Sequence, residues 1–184
     1  MSILADQDIA FFRNLGFLDV HPWDDDLLQP GSYDLRLAPY RTYREYNLNT
    51  GETRWRTEKF DEDCRGGLSY VLEPDEFGLF TSIEIVEVTP RIGAEVKGKS
   101  TWAREGLIIE SAGWVDPGFC GQLTLELKNI GGIPLTLTAG APIAQVVFHE
   151  LRSPALRPYG ERGRYMNQAG PQPPRPFRKG ACNE

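Results

Sequence analysis

The sequence predicts a mainly β protein, an antiparallel sandwich or barrel with a short N-terminal helix and a proline-rich C-terminal arm. Three observations support this class. Apolar residues alternate with polar ones at period two in several short segments, turns rich in Gly, Pro and Asp separate those segments, and one segment alone has clear helical spacing. The 184 residues suffice for a single domain with its own core. Residues 1–150 contain no internal repeat and no linker.

The predicted helix lies near the N-terminus. Asp6 is the expected N-cap, because a short polar side chain there can accept a bond from a backbone N–H of the first turn. Ile9, Phe12 and Leu15 follow at helical spacing, and Gly16 is the expected C′ residue that ends the helix.

Period-two alternation predicts half-buried strands in three later segments. The apolar positions of these strands are Ile92, Ala94, Val96, Leu123, Leu125, Leu127, Leu135 and Leu137. Upstream of them, Asn49-Thr50-Gly51 lies between a tyrosine-rich segment and a segment containing Trp55, which predicts a hairpin turn.

The C-terminal segment differs from the rest of the chain in charge and composition. Residues 152–184 contain seven basic and two acidic side chains, so this segment carries +5 whereas the remaining body carries −11. Six prolines, at positions 154, 158, 171, 173, 174 and 176, argue against a regular helix or a central strand. Two interpretations stay open: a solvated, partly disordered terminus, or a basic arm that closes over a polyanionic ligand.

Composition argues against several functional classes. A net charge of −6 is unlike that of a general nucleic-acid binder. The apolar stretches span a few residues, too short to cross a membrane, and the N-terminus lacks the pattern of a signal peptide. The three cysteines, Cys64, Cys120 and Cys182, are far apart and typical of reduced thiols in a cytoplasmic protein.

The two histidines, His21 and His149, argue against zinc-dependent deamination and against a Ser–His–Asp hydrolase. Neither lies in an H-x-E sequence, and the chain contains no P-C-x-x-C and no G-x-S-x-G. We interpret both histidines as structural.

Two segments contain side chains suited to chemistry on a nucleotide. Lys99, Ser100, Thr101 and Arg104 follow a predicted strand and suit a phosphate chain, although the segment is no P-loop and a solvated loop is the alternative. Glu126 lies on the polar face of its strand, just downstream of a turn that contains Asp116. On residues alone, Glu126 fits a surface glutamate and Asp116 fits a cap of backbone amides equally well.

Five motifs together resemble the dCTP deaminase family, within the trimeric dUTPase-like superfamily. They occur in family order, and the similarity extends from Ile3 to about Phe177. The form with Ala-Gly-Trp before Asp116, and with Pro-Tyr-Gly ahead of the arm, is most similar to the dUMP-forming bifunctional branch. The motifs are Gln29–Leu37, Gly98–Leu107, Ala112–Phe119, Thr124–Leu127 and Gly140–Gln145.

The resemblance implies a distorted antiparallel β-barrel, or jelly-roll, of the dUTPase-like type. Residues 1–158 would form the catalytic β domain, and residues 159–184 an arm that closes as a lid over the triphosphate. It also implies a homotrimer with active sites at subunit interfaces, the Mg²⁺ complex of dCTP as substrate, and deamination without zinc.

The resemblance further implies roles for individual residues. Glu126 matches the catalytic glutamate, with Arg104 and Ser100 in support: one partly desolvated carboxylate can activate water and then protonate the leaving ammonia, while an arginine stabilises the developing charge. Asp116 matches the aspartate near the sugar and base. The remaining matches are Lys99, Ser100, Thr101, Trp102, Ala103 and Arg104 for the triphosphate, Thr124, Leu125 and Glu126 beside the pyrimidine, and Gln145, Tyr159, Arg164 and Gln168 for the phosphate side and the arm.

Two departures from the family pattern leave alternatives open. Arg164 replaces the usual lysine, and the loop 108–112 is one residue shorter and contains Glu110-Ser111. Because that loop should lie near the base, the base preference and the diphosphate-releasing step stay open. The alternatives are a dUTPase in which Asp116 activates water at the α-phosphate, a deaminase of another deoxycytidine nucleotide, and a non-catalytic nucleotide-binding relative.

Overall fold

The computed structural model describes residues 2–109 and 112–176. Glu110-Ser111 and the last eight positions of the arm, including Cys182, therefore lie outside the described residues. In chain order the strands are β1 (Ser2–Ile3), β2 (Leu18–His21), β3 (Leu28–Gln29), β4 (Ser32–Arg36), β5 (Tyr40–Tyr46), β6 (Thr53–Lys59), β7 (Asp61–Glu62), β8 (Leu68–Leu72), β9 (Phe77–Val88), β10 (Ile92–Gly98), β11 (Leu107–Ile109), β12 (Trp114–Val115), β13 (Cys120–Asn129), β14 (Leu135–Thr138) and β15 (Pro142–Glu150). The helices are α1 (Asp6–Asn14), α2 (Ser100–Arg104) and α3 (Tyr159–Arg162), with a 3₁₀ turn at Asp25–Leu27.

These strands form antiparallel sheets, which confirms the predicted mainly β class. The first sheet has the order β12-β10-β15-β4-β3, with β1 also paired to β15. The second has the order β11-β13-β9-β5-β6, with β2 also paired to β9, and a third contains β14, β8 and β7. Strand pairing thus gives separate sheets rather than a single ring of strands.

The alternating segments lie where the sequence predicts, because each strand turns one face to the shared core. Ile92, Ala94 and Val96 on β10, and Leu135 and Leu137 on β14, are all buried. The predicted hairpin at 49–51 is also confirmed, since it joins β5 to β6.

The N-terminal helix is confirmed, but its predicted cap is one residue off. Ala5 is the N-cap residue, and Asp6 is already inside the helix. Asp8 accepts a hydrogen bond from the Ala5 N–H at 3.3 Å, and Asp6, from inside the first turn, accepts one from the Gln7 N–H at 2.8 Å. Gly16 has φ +72°, the left-handed conformation expected at the helix end.

A buried ion pair connects the two large sheets. Arg36 on β4 donates from Nε to Glu84 Oε1 on β9 at 2.6 Å, and its backbone N–H donates to Glu84 Oε2 at 2.8 Å. The Glu84 side chain is fully buried. The hydrogen bond to Glu84 raises the pKa of the Arg36 guanidinium, so the arginine keeps its charge.

Replacing Arg36 with methionine should reduce the free energy of unfolding by about 3 kcal/mol, because the Glu84 carboxylate then stays buried without its charged partner. Urea denaturation at neutral pH measures the change. Arg54→Met is the matched control, since Arg54 pairs with Glu52 on the surface and should matter little. Equal shifts in the two variants would contradict a structural role for the buried pair.

In the part of the chain that the structure describes, no helix is long and apolar enough to cross a membrane.

Candidate active site

A cavity of about 460 Å³ lies where β13, the turn after β12 and the C-terminal arm meet. Apolar side chains, among them Leu79, Val96 and Phe119, form part of its wall. The carboxylate, hydroxyl and amide side chains on the wall are those of Asp116, Thr124, Glu126, Tyr159, Tyr165, Gln168 and Gln172. Five of these seven were candidates from the sequence, and Tyr165 and Gln172 were not among them.

Strand β13 positions Glu126 and Thr124 in this cavity. Leu123, Leu125 and Leu127 point into the core, so the intervening side chains face the opposite side of the sheet. Glu126 lies opposite Leu79 of β9 in the strand register. Leu125 itself is fully buried in the core.

The pairing of β13 with β9 is irregular next to Thr124. The register shifts between Gln122 and Thr124, and buried hydroxyls satisfy the backbone of Leu123 at that point. Leu123 N–H donates to Ser82 Oγ at 2.9 Å, and Thr81 Oγ1 donates to the Leu123 carbonyl at 3.1 Å. Bulges of this kind re-aim side chains and are frequent beside active sites.

Asp116 lies in a tight turn between β12 and β13. The Trp114 Nε1–H donates to Asp116 Oδ1 at 3.1 Å, which fixes the carboxylate at the edge of the cavity. Gly118 has φ +85°, and a Cβ atom there would lie 2.7 Å from Pro158, where the arm begins. The turn therefore requires glycine both for its conformation and for its contact with the arm.

The described part of the arm, residues 159–176, packs along β13 of the same chain. Gln122 N–H donates to the Gln168 carbonyl at 3.0 Å, and Gln168 Nε2 donates to the Gln122 carbonyl at 2.5 Å. Farther along, Gln172 N–H donates to Thr124 Oγ1 at 3.2 Å. The arm therefore forms one wall of the cavity beside the strand that contains Glu126.

Arg164 lies next to this cavity rather than on its wall. It lines a neighbouring space of about 510 Å³ together with Arg157, Asp116 and Tyr159. Asp116 and Tyr159 line both spaces, so they stand between the Glu126 cavity and the two arginines.

The remaining predicted residues form a second group, away from the Glu126 cavity. Lys99 Nζ lies 2.5 Å from Asp34 Oδ2, and Asp34 is buried. Gln145 accepts a bond from Ser32 Oγ at 3.0 Å and donates to the Gly98 carbonyl at 3.2 Å. None of the side chains at positions 99–104 or 145 lines the cavity that contains Glu126.

Helix α2 contains the other members of this second group: Ser100, Thr101, Trp102, Ala103 and Arg104. Trp102 Nε1–H donates to the Pro142 carbonyl at 3.0 Å, which attaches the helix to the start of β15. The predicted residues of the chain therefore form two separate groups, one at and beside the Glu126 cavity and the other around α2.

Sequence reasoning missed five residues that build these two groups. Asp34 and Ser32 anchor Lys99 and Gln145, and both lie inside a motif that the sequence had already singled out. Trp114 lies inside another such motif, beside Asp116. Tyr165 and Gln172 had no strand pattern to mark them, because they reach the cavity through the path of the arm.

Among the described residues, no group of three or more His, Cys, Asp or Glu side chains is arranged to hold a metal ion.

A sequence model of the dCTP deaminase-like family matches residues 3–151. The chain therefore belongs to the dCTP deaminase-like family, which confirms the resemblance seen in its motifs. A protein of Bifidobacterium longum named "dCTP deaminase, dUMP-forming" is 37% identical, with 95% of this chain and 94% of that protein covered. A protein of Dictyoglomus thermophilum with the same name is 39% identical, with 92% of each chain covered. A Natronomonas pharaonis protein named "dCTP deaminase" is 42% identical over the same shares.

A solved structure shows the same fold. The 2′-deoxycytidine 5′-triphosphate deaminase of Agrobacterium tumefaciens superposes with a TM-score of 0.60 at 20% sequence identity over 81% of this chain. The match covers 48% of that protein, so the chain spans about half of its length. The likeness supports the mainly β fold predicted from the sequence.

Replacing Gly121 with alanine should release the arm from β13. A Cβ atom there would lie 2.9 Å from the Gln168 nitrogen, and the φ of +150° disfavours any residue with a side chain. Trypsin should then cut after Arg164 faster than in the unchanged protein, with circular dichroism unaltered. Gly132→Ala is the matched control, since nothing lies within 4 Å of that position. Equal cleavage rates in the two variants would show that these contacts do not hold the arm.

Proposed function

We propose that this protein deaminates dCTP and continues to dUMP and diphosphate. The observation that carries the proposal is the position of Glu126, which shares a cavity of nucleotide-binding size with Asp116 and the arm. The names of the full-length relatives support the same reaction, since those from Bifidobacterium longum and Dictyoglomus thermophilum are called dUMP-forming.

Glu126 can perform both proton transfers that deamination requires. Its carboxylate first takes a proton from water as the oxygen attacks C4 of the cytosine ring. The protonated carboxyl delivers that proton to N3 of the ring. The carboxylate then takes the proton of the new C4 hydroxyl and passes it to the amine, so that the C4–N bond breaks, ammonia departs and the uracil carbonyl forms. The apolar part of the wall, with Leu79, Val96 and Phe119, favours these transfers because it limits the solvation of the carboxylate. The proposed reaction needs no zinc.

The two-place arrangement of the predicted residues supports a site shared between subunits. Lys99, Ser100 and Arg104 lie outside the Glu126 cavity of their own subunit, yet the family pattern assigns them to the same substrate. A homotrimer resolves this, because α2 of one copy can complete the cavity of the next. In this arrangement Arg104 stabilises the negative charge that develops on the base.

The arm and its arginines suit the triphosphate, which binds as the magnesium complex of the substrate. Arg157 and Arg164 line the space beyond Asp116 and Tyr159, on the side away from Glu126. Guanidinium groups there can hold phosphate oxygens through charge-assisted hydrogen bonds. Asp116 then lies between base and phosphates, where it can assist the release of diphosphate in the second step.

The proposed place of action is the cytoplasm, where thiols stay reduced. Cys64 and Cys120 are free thiols in the structure. Burial, and secondarily the charge of Glu87, raises the pKa of the Cys120 thiol, so that this cysteine resists ionisation and oxidation.

Replacing Glu126 with glutamine should abolish ammonia release from dCTP, because the amide keeps the shape of the side chain but cannot accept the proton. General-base catalysis of this kind contributes roughly 10²–10⁴-fold. Binding of dCTP, measured by calorimetry, should stay within about tenfold of the unchanged protein, since binding energy is not lost with the proton acceptor. Glu45→Gln, on the exposed hairpin, is the matched control.

Product analysis of the unchanged protein with dCTP and Mg²⁺ separates the proposal from its rival. Ammonia and dUMP in equal amounts are expected. Hydrolysis of dUTP without ammonia from dCTP would instead identify a dUTPase. Near-normal ammonia release by the Glu126→Gln variant would overturn the assigned role of that carboxylate.

A further inference from the structure

The indole of Trp114 packs against the outer face of the first sheet, over Gly93. In the strand register, Trp114 of β12 lies opposite Glu95 of β10, while Gly93 of β10 lies opposite His149 of β15. Residues 93 and 95 share a face because side chains alternate along a strand. The indole extends from its own strand over Gly93 and towards His149.

Gly93 leaves the space that the indole fills. A Cβ atom at this position would lie 2.8 Å from both Cζ2 and Cη2 of Trp114, closer than carbon atoms pack. Gly93 is in regular strand geometry, where glycine weakens a sheet. The close approach of the tryptophan ring therefore explains why a glycine occupies this strand.

His149 supports the other end of the indole. The two ring centroids are 5.9 Å apart and the planes are inclined by 37°. His149 is 7% exposed, and neither ring nitrogen has a hydrogen-bond partner among the described residues. The nearest charged group, the Glu95 carboxylate, is 3.9 Å from Nε2. Since the ring nitrogens make no hydrogen bonds among the described residues, His149 supports the indole through its flat ring.

The same indole touches the candidate active site. Its Nε1–H donates to Asp116 Oδ1 at 3.1 Å, and both Trp114 and Asp116 line the cavity with Glu126. A donor on a rigid, seated ring restricts the rotation of a carboxylate far more than water does. A shift of the ring on the sheet would therefore turn the carboxylate at the edge of the cavity.

We infer that Gly93 and His149 form a seat for Trp114, and that the seated indole orients Asp116 towards the sugar of the bound nucleotide. Gly93, His149 and Trp114 are thus positioning residues that act through Asp116. The inference rests on the proposed function, because it takes the nucleotide to lie between Asp116 and Glu126.

Gly93→Ala should displace the indole while keeping its N–H, and Trp114→Phe should keep a ring while removing the N–H. Each should raise KM for dCTP about tenfold, the loss expected for one hydrogen bond to a charged group. The kcat of ammonia release should change less than about threefold, because in the deamination step Asp116 holds the substrate and Glu126 performs the proton transfer. Gly132→Ala is the matched control. A variant that merely folds less well would instead lower kcat at an unchanged KM.

A double-mutant cycle tests whether the seat acts through Trp114. If it does, Gly93→Ala should add less than about twofold to KM in a Trp114→Phe background, since both changes remove the same interaction. If the two substitutions multiply their effects on KM in the double variant, the inference is overturned. An unchanged KM in Gly93→Ala would also overturn it. Ammonia release by the unchanged protein is measured first, since its absence would refute the proposed function rather than the seat.

His149 supplies a separate check. His149→Phe keeps a flat ring and should leave KM within about twofold, because the imidazole nitrogens have no partners to lose. His149→Ala removes the support and should raise KM as Gly93→Ala does. Equal KM values in the two His149 variants would overturn the assigned role of the ring.

Discussion

The pairing of β13 with β9 is the constraint on which the rest of the structure depends. One strand supplies Leu123, Leu125 and Leu127 to the core and, through the same alternation, aims Thr124 and Glu126 at the cavity. A shift of one residue in this register would bury the glutamate and expose the leucines, so core and site stabilise the same pairing. The bulge at Leu123, satisfied by Thr81 and Ser82, is the one adjustment in that pairing next to the site.

The outer edge of β13 also binds the arm, which packs along it. Gln122 and Thr124 bind backbone groups of the arm, and Gly121 leaves room for Gln168. The basic segment is thereby brought beside Asp116, in a protein whose remaining body is acidic. Long-range attraction of a triphosphate then depends on the arm rather than on the acidic body of the protein.

Short-range sequence patterns predicted several strands and part of the candidate site. Alternation predicted β10, β13 and β14, and family motifs pointed to Glu126 and Asp116, which share a cavity. The N-cap was misplaced by one residue, because Asp6 accepts the first-turn N–H of Gln7 from inside the helix rather than from the cap position. Some contacts join distant segments, such as Arg36 with Glu84 or Lys99 with Asp34. They have no local sequence pattern, so they could be identified only from the structure. The same holds for the seat of Trp114, which three strands build together.

In the proposed homotrimer, Glu126 and Arg104 of one active site lie on different subunits, and mixed oligomers test this arrangement most directly. Glu126→Gln and Arg104→Ala should each be inactive alone. Co-expressed in equal amounts, they should recover about a quarter of the unchanged activity, since random mixing gives one site in four with both residues intact. Mixed oligomers that form yet release no ammonia from dCTP would contradict a shared site.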